Sequence, residues 1–384
     1  MRFLIIYSKP ICYNSLEMFT SVLSDSLRKL GHEVDNMISF DRVDRLEPFF
    51  DKVYDRIIDF NSNLPTMKLE DGTSVLSHLK GEFYNYLLDH PLYHHRPLSA
   101  EVEQNVICVD RKHVDYIKKY YPHIKNVLFI PIGRMPSEPL KIKKIRGRSI
   151  PVLFTGTYTS SRWAQAKLSV CHPALADEIM AIYENMRDDS TLEMADALIK
   201  YTKEVLKIEI PQDRVAEFAH THFLADVFAA AQARDCVIRG LLKAGIPVTV
   251  CGGGWDEFET TEKDLLTILP AMDYAESLEL CYDAKICLNV MPHFTDGIHD
   301  RVLNAMSHGA VSLTDSTPYL RENFDDNKHL ILYNLENLDE IPTIIKEYLT
   351  DDEAMQRIVD AAKYQVERSF TWEELIRNSD LVKE

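Results

Sequence analysis

Apolar residues occur in short uninterrupted blocks along the first third of the chain, and helical spacing fills the intervals between them. Residues 3–7 form the first block, and residues 15–30 repeat apolar positions with helical spacing until Gly31 ends that helix. The further strands predicted here begin at His32 and cover residues 56–60, 84–89, 105–109 and 127–131. Because continuous apolar strands alternate with helices, the pattern predicts an α/β fold with a parallel sheet covered on both faces.

A second α/β pattern follows a connecting segment that contains prolines and basic residues. We assign residues 1–135 to an N-terminal Rossmann-like domain, 136–150 to a linker, and 151–384 to a C-terminal Rossmann-like domain with a helical insertion at about 161–222. Its predicted strands cover residues 152–154, 246–251, 266–269, 286–290, 311–314 and 329–333. Two such domains face a cleft at the carboxyl ends of their strands, where open α/β sheets bind ligands.

The overall charge of the chain disfavours polyanionic partners. Its 384 residues include 43 Lys and Arg against 60 Asp and Glu, which gives a formal net charge of −17. Such a chain repels polyanions at long range, so we expect neither a nucleic acid nor an anionic membrane as the main partner. Five basic residues of the linker are interpreted as part of a solvated connector: Lys141, Lys143, Lys144, Arg146 and Arg148.

Seven cysteines are scattered through the sequence without a metal-binding or disulfide spacing. Their number is odd and no CxxC pair occurs, so we predict neither a zinc site nor a disulfide framework. The first apolar block is too short for the core of a signal peptide. No run of about 18 apolar residues predicts a membrane span. The expected location is therefore the cytoplasm.

The segment from Met291 to Met306 is the strongest candidate for chemistry. It follows a predicted strand as a loop and then opens a helix, whose free N–H groups and positive dipole end suit a phosphate. Arg301 in the first turn adds a fixed charge with a bidentate fork, and Asp296 and Asp300 can accept hydrogen bonds from sugar hydroxyls. The alternative is that Asp296 or Asp300 only caps the helix and that Arg301 lies on the surface.

Two glycine-containing turns are weaker candidates for ligand contact. The run from Gly252 to Trp255, which includes Gly253 and Gly254, permits either close approach to a ligand or a plain turn. Gly156 with Thr157 is similar. An aromatic ring after a glycine turn can cover the face of a base or a sugar, so we predict that Trp255 lines the cleft.

Asp89 and His90 close a predicted strand of the first domain. A carboxylate or an imidazole at a strand end can accept a proton from an attacking hydroxyl, and an ordinary loop histidine is the alternative. The nearby His94 and His95 invite a zinc hypothesis, but the required spacing and a further ligand are missing from the sequence. We therefore predict no metal site.

A series of short segments runs through the second half of the chain in a fixed order. They are GIPV from Gly245, GGGW from Gly252, LNV from Leu288, DG from Asp296, HDRVLNAM from His299, GA from Gly309, LTD from Leu313 and FTW from Phe370. With these segments the second half resembles the CgeB-like bacterial glycosyltransferases of the GT-B fold. The resemblance implies transfer of a sugar from a nucleotide-sugar donor without an obligatory metal or another cofactor. It also places the donor on the C-terminal domain and the acceptor on the N-terminal one.

Many retaining relatives carry two glutamates eight positions apart at this helix start, and Asp296 and Asn304 occupy similar positions here. We predict a glycosyltransferase in which Arg301 stabilises the departing nucleoside diphosphate and Asp296 orients donor-sugar hydroxyls. Asp89 or His90 faces the acceptor, a hydroxyl-bearing glycan or protein, and His90 is the base if the reaction inverts. The predicted donor contacts are Gly156, Thr157, Gly253, Gly254, Trp255, His299, Asp300, Arg301 and Asn304. A nucleotide-sugar epimerase of the GT-B fold and a noncatalytic nucleotide-sugar-binding module are the alternatives.

Overall fold

Two parallel six-stranded sheets organise the computed structural model, which describes residues 1–7, 13–38, 43–189 and 191–383. The first sheet contains β1 (Arg2–Tyr7), β2 (Glu33–Ile38), β3 (Val53–Phe60), β4 (Lys80–Leu87), β5 (Asn105–Cys108) and β6 (Val127–Phe129). Its helices are α1 (Ser15–Lys29), α2 (Glu47–Phe50), α3 (His95–Leu98) and α4 (Arg111–Tyr120). Each strand predicted from an apolar block of this half is confirmed, and the strand order is β2-β1-β3-β4-β5-β6.

The second sheet has the strand order β12-β11-β10-β7-β8-β9. Its strands are β7 (Ile150–Thr155), β8 (Val248–Cys251), β9 (Leu266–Leu269), β10 (Ala284–Leu288), β11 (Val311–Asp315) and β12 (Ile331–Tyr333). The helices of this half are α5 (Ser161–Ser169), α6 (Pro173–Asp188), α7 (Met194–Tyr201), α8 (Val215–Thr221), α9 (Leu224–Lys243), α10 (Tyr274–Cys281), α11 (Asp300–Ser307), α12 (Pro318–Asn323), α13 (Ile341–Leu349), α14 (Asp352–Ser369) and α15 (Trp372–Arg377). The predicted α/β fold with two Rossmann-like sheets is confirmed.

The strand order fixes where a ligand can enter each sheet. The direction of progression reverses between β1 and β3 in the first sheet and between β7 and β10 in the second. At such a reversal the connections leave on opposite faces and open a crevice beyond the carboxyl ends of the strands. The loops that follow β7 and β10 therefore meet at one crevice, which opens toward the first domain.

Helices α5 to α8 pack against the first domain, although the chain places them after β7. Ile179 and Ile182 of α6 and Leu198 of α7 share one apolar cluster with Leu87 and Val106 of the first sheet. The buried positions of α6 recur at helical spacing, which gives this helix one apolar face. The insertion thereby joins the two halves of the molecule outside the cleft.

The last helix also returns to the first domain. Trp372 at the start of α15 is 1% exposed, and its ring lies edge-on to Tyr86, with 6.4 Å between ring centroids. A Cβ atom added to Gly133 would lie 2.7 Å from the Trp372 ring, so only glycine permits this approach. The N–H of Arg134 donates to the carbonyl of Phe370 at 2.9 Å. The end of the chain therefore completes the first domain.

The interpretation of the basic linker as wholly solvated is wrong for Arg148. Its side chain is buried, and Nη1 donates to the carbonyl oxygens of Cys281 and Ala284 at 2.8 Å each. Nη2 donates to the carbonyl of His308 at 3.2 Å. A planar guanidinium can satisfy several buried carbonyl groups at once, so Arg148 attaches the linker to the second sheet.

Candidate functional site

A cavity of about 300 Å³ lies between the two domains, at the crevice that the strand order defines. We call it the cleft. The first domain contributes Tyr13, Asp89, Val109 and Ile132 to its walls. The polar side chains that the second domain contributes include Thr155, Thr157, Arg234, Asn289, His299, Asp300, Arg301 and Asn304. The segment from Met291 to Met306 thus supplies much of the polar lining, as its position after β10 predicts.

Two arginines lie close together in the cleft. Arg301, in the first turn of α11, donates from Nη1 to the Thr155 carbonyl at 2.7 Å, and Arg234, in α9, donates from Nε to the Val290 carbonyl at 3.3 Å. Both guanidinium groups approach the sulfur of Met291, at 3.7 and 3.3 Å. Burial lowers the pKa of Arg234 to about 10, and the charge of Arg301 contributes to this shift. Both groups are therefore charged at neutral pH.

Neither arginine forms a direct ion pair among the described residues. Each guanidinium donates to a backbone carbonyl instead, and the carboxylates of Asp300 and Asp315 act on Arg301 without contacting it. Two half-buried like charges so close together are costly unless a further negative charge joins them. The pair therefore constitutes a ready-made site for a multiply charged anion.

Asp300 is an ionised carboxylate at the centre of a hydrogen-bond network. The Tyr274 hydroxyl donates to Oδ2 at 2.5 Å, and His299 Nδ1 lies 2.8 Å from Oδ1. Burial alone would raise the pKa of Asp300, but His299, the Tyr274 hydroxyl and the charge of Arg301 together lower it to about 2. The network holds a negative charge beside Arg301 without pairing directly with its guanidinium.

Asn304 uses both atoms of its amide group. Nδ2 donates to the Tyr274 hydroxyl at 2.6 Å and lies 3.3 Å from the Asp300 carboxylate. Oδ1 accepts from the N–H of Met135 at 3.0 Å. A glutamate at this position would lack the donor and would bring a second negative charge next to Asp300. Asparagine at position 304, where many retaining relatives have the second glutamate, therefore fits the hydrogen-bond partners around it.

Asp296 lies at a contact between the domains and does not line the cleft. Its N–H donates to Asp110 Oδ2 at 2.9 Å, and its carbonyl accepts from the N–H of Arg111 at 3.2 Å. A Cβ atom at Gly297 would lie 2.8 Å from both Asp110 Oδ2 and the Val109 carbonyl. The expected role of Asp296 at donor-sugar hydroxyls stays a prediction, since in this structure its backbone clamps the second domain to the first.

Asp110 gives this clamp a pH dependence. Its carboxyl group is fully buried and also accepts the N–H of Lys112 at 2.7 Å as the N-cap of α4. Burial raises its pKa from 3.8 to about 6 against the effect of these hydrogen bonds, and the Asp296 charge adds to the increase. A carboxyl with a raised folded-state pKa stabilises the fold below its unfolded pKa, and this contribution is lost as the pH rises through the folded value.

We therefore expect wild-type protein to lose stability relative to Asp110→Asn as the pH rises from about 4 to about 6. The asparagine keeps an oxygen for the α4 cap but cannot ionise. The free energy of unfolding of wild type minus that of Asp110→Asn should therefore fall by up to roughly 3 kcal/mol over this interval. Denaturant titrations followed by fluorescence in dilute solution measure it. Parallel pH profiles for the two proteins would contradict the assignment.

The glycine turns after β7 and β8 pack against each other at the floor of the cleft. Gly252 has φ +148°, and a Cβ atom there would lie 2.3 Å from the Gly156 carbonyl oxygen. Gly156, Thr157 and Gly252 line the cleft. The N–H of Gly253 donates to the Tyr13 hydroxyl at 2.7 Å, and that hydroxyl lies 2.8 Å from Thr157 Oγ1. The two turns thus meet a tyrosine of the first domain.

The prediction that Trp255 lines the cleft is wrong. Trp255 is 1% exposed, its ring stacks on Tyr158 with 5.0 Å between centroids, and Nε1 donates to the Gly156 carbonyl at 2.8 Å. The short helical turn that begins at Trp255 directs the ring into the core of the second sheet. The preceding Gly254 has a left-handed φ of 80° and is not among the cleft-lining residues. Trp255 acts on the site by holding Gly156 in place.

Asp89 and His90 point to different places. Asp89 lines the cleft, and its Oδ2 accepts from Asn61 Nδ2 at 2.9 Å. His90 caps the turn after β4, where its Nδ1 accepts the N–H of Leu92 at 3.1 Å, and its ring lines a separate cavity. The turn thus directs the ring of His90 away from the cleft, and the role of Asp89 or His90 toward the acceptor stays a prediction. No group of three or more described His, Cys, Asp or Glu side chains is arranged to hold a metal ion.

Sequence analysis missed Arg234, Tyr274 and Asn61. One signal for Arg234 was available, because it precedes Ile238 by four positions and Leu241 by seven, which is the spacing of one face of a helix. An arginine at such a position must find buried partners or a ligand. Tyr274 and Asn61 gave no comparable signal, since their roles depend on contacts with distant parts of the chain.

Comparison with known proteins agrees with this architecture. Residues 234–379 match a family model described as glycosyl transferase-like. Sucrose-phosphate synthase from Thermosynechococcus elongatus is similar in structure, with a TM-score of 0.53 at 10% identity over 97% of this chain and 96% of that one. An alpha-glucosyltransferase in complex with UDP-glucose and DNA has a TM-score of 0.58 at 12% identity over 100% and 99% of the two chains.

The Anabaena protein HepE in complex with UDP is also similar, with a TM-score of 0.50 at 11% identity and 98% coverage of both chains. At such identities the likeness shows the fold. No curated protein sequence matches the chain significantly. The two facing sheets have the arrangement of the GT-B fold, and the C-terminal part of the chain is similar to a glycosyl transferase-like family. Among the described helices, none is both long and apolar enough to cross a membrane.

Proposed function

We propose that the protein moves a sugar from a nucleoside-diphosphate sugar to a hydroxyl group of a glycan or a protein, as a member of the CgeB-like glycosyltransferases. The observation that carries this proposal is the pair of arginines in the cleft. Arg234 and Arg301 are charged, half-buried and without a direct carboxylate partner among the described residues. A diphosphate supplies the missing negative charge in a geometry that guanidinium groups bind bidentately.

The same pair favours departure of the leaving group. The bond between the anomeric carbon and the phosphate oxygen breaks, and its electron pair stays on the nucleoside diphosphate. The acceptor oxygen bonds to the anomeric carbon and releases its proton. Negative charge therefore grows on the diphosphate in the transition state, where Arg301 and Arg234 stabilise it more than in the bound donor.

Asp89 is the proposed group on the acceptor side. It lies at the carboxyl end of β4 and lines the cleft opposite the second domain. Asn61 positions it: Asn61 Oδ1 accepts the N–H of Leu88 at 2.8 Å while Nδ2 donates to Asp89 Oδ2 at 2.9 Å. This leaves Asp89 Oδ1 to receive a hydrogen bond from an acceptor hydroxyl.

Metal independence and a cytoplasmic location are parts of the proposal. In many phosphate sites a divalent cation neutralises the diphosphate, and here two guanidinium groups offer that charge. All six cysteines of the described residues are free thiols, which suits a reducing compartment. The net charge of −17 favours a glycan or protein acceptor over DNA.

Calorimetric titration with nucleoside diphosphates tests the donor site. UDP is the first choice because several solved structures of this fold contain it, and GDP, ADP and dTDP follow. We expect one of them to bind equally well with and without EDTA. At 100 times its Kd it should raise the free energy of unfolding by about 2.7 kcal/mol.

Four outcomes would contradict the proposal or favour one of its alternatives. Binding that disappears with EDTA contradicts metal independence, and no binding by any nucleotide contradicts the donor site. If the donor alone yields an altered free sugar or nucleotide sugar, the protein is an epimerase. Donor binding without product under any acceptor mixture indicates a binding module.

A further inference from the structure

A second cavity of about 150 Å³ lies beside the cleft, and we call it the side cavity. One loop forms the wall between the two. Met291 and Phe294 of this loop line the cleft, whereas Pro292, His293 and Thr295 line the side cavity. The wall is thus a single segment of chain, and a ligand on one side lies close to a ligand on the other.

Asp226 is the most buried polar group of the side cavity. Its side chain is 9% exposed, Oδ2 accepts a hydrogen bond from the Tyr93 hydroxyl, and His293 Nδ1 lies 3.1 Å from the same oxygen. No described residue donates to Asp226 Oδ1. Because the residue lines the side cavity, a ligand there is the available partner for this oxygen.

Three further side chains that line the side cavity each have a polar atom available for a hydrogen bond to a ligand. Glu193 Oε1 accepts from Thr295 Oγ1 at 3.1 Å, and no described donor bonds its Oε2. His90 Nδ1 accepts the N–H of Leu92, so its Nε2 carries the proton and can donate. His293 directs Nδ1 to Asp226, which leaves its Nε2 as an acceptor. The side cavity therefore offers acceptors and a donor together.

Apolar side chains also line the side cavity. They include Ala229, Ala230 and Ala233 of α9, on the same helix face as Asp226, together with Met194 and Leu338. Small side chains let a ligand approach the helix closely. A lining that combines apolar side chains with mixed hydrogen-bonding groups suits a pyranose ring, whose hydroxyls both donate and accept and whose C–H face is apolar.

Most charged groups of the side cavity already interact with the protein. Asp226 Oδ2 lies 3.1 Å from His293 Nδ1, and the residue lies in the first turn of α9, where the helix dipole stabilises a carboxylate. Arg187 also lines the cavity and lies 2.9 Å from Asp188. The hydrogen-bonding atoms that remain suit the hydroxyls of a neutral ring.

We propose that the side cavity binds a neutral sugar ring of the acceptor, adjacent to the part of the acceptor that reaches Asp89. This inference rests on the proposed function, because it takes the cleft as the place of transfer. The neighbouring residues Asp89 and His90 face the cleft and the side cavity respectively. An acceptor that contacts both Asp89 and His90 would extend around the carboxyl end of β4.

Saturation-transfer NMR with methyl pyranosides tests the side cavity directly. The probes are the methyl glycosides of glucose, galactose, mannose and N-acetylglucosamine, added to the full chain saturated with UDP or the nucleotide that binds. Ala233→Met fills the side cavity, and Glu193→Gln removes one acceptor charge without a change of shape. The matched controls are Ala166→Met and Glu209→Gln, both at exposed positions of the insertion.

We expect one probe to bind wild-type protein and both controls with the same Kd. The Kd from saturation-transfer titration should be at least tenfold higher in Ala233→Met and in Glu193→Gln. Nucleotide affinity should be unchanged in all four variants. If Ala233→Met does not fold, Glu193→Gln decides. Equal binding to wild type and Glu193→Gln, or no binding of any probe, would overturn the side cavity as a sugar site. A protein that binds a probe in the side cavity but no nucleotide would instead contradict only the proposed function.

Discussion

Arg301→Ala should lower turnover about a hundredfold while leaving the protein folded. Loss of one preorganised contact to developing negative charge commonly costs ~3 kcal/mol of activation free energy. Arg301 donates to Thr155 and lies beside Arg234 without a carboxylate partner among the described residues. Removal of its charge also removes repulsion within the pair, so the melting temperature should stay the same or rise. Arg234→Ala should show the same combination.

The measurement pairs turnover and melting temperature on one preparation. Turnover is followed as donor consumption, either with an acceptor found by screening or as slow hydrolysis without one. Arg357→Ala is the matched control, because this arginine is exposed on α14 and should change neither quantity. Near-wild-type turnover of Arg301→Ala would remove this residue from the donor site. A variant that fails to fold would make Arg301 a structural residue.

Gly252→Ala should abolish nucleotide binding and destabilise the second domain. A methyl group there would lie 2.3 Å from the Gly156 carbonyl oxygen and 2.7 Å from its carbon, and the φ of +148° is itself strained for alanine. The Gly156 carbonyl is held by Trp255, and the Gly156 N–H donates to the Cys251 carbonyl at 2.8 Å. The turn therefore cannot yield without breaking these bonds. We expect a loss of about 3 kcal/mol or more in free energy of unfolding.

Gly147→Ala is the control for this substitution. Gly147 lies in the linker, and no atom lies within 4 Å of an added Cβ. Its free energy of unfolding should change by no more than ~0.5 kcal/mol. Thermal unfolding and nucleotide titration of both variants provide the comparison. If Gly252→Ala melts and binds nucleotide as wild type does, the packing of the two glycine turns has no part in the site.

The sequence predicted the strands well because burial on both faces leaves a continuous apolar block. It could not predict the order of strands within each sheet, since that order depends on pairing between distant segments. β10, for example, pairs with β7 across the whole insertion. Nor did it predict that Trp372 completes the first domain, because an apolar residue near the chain end gives no sign of which core receives it.

For the site, the sequence identified the correct loop but misjudged individual side chains. Arg301 and Asp300 line the cleft because they begin a helix at the crevice. Trp255 and His90 do not, because each starts a short turn that rotates the ring into another environment. A shift of one position within a turn is enough to point a side chain into a different environment. The spacing of residues along the chain does not determine that direction.

Attachment at three places restricts how the two halves can separate. The first domain is joined to the second through the linker, through α15 and through the packing of helices α5 to α8. A wide swing would expose the apolar surfaces of the last two attachments to water, at roughly 25 cal/mol for each square ångström. The three attachments therefore favour a fixed arrangement of the two domains around the cleft over a hinge motion about the linker. We therefore expect movements of loops and side chains at the opening of the cleft, rather than separation of the domains, to admit substrates.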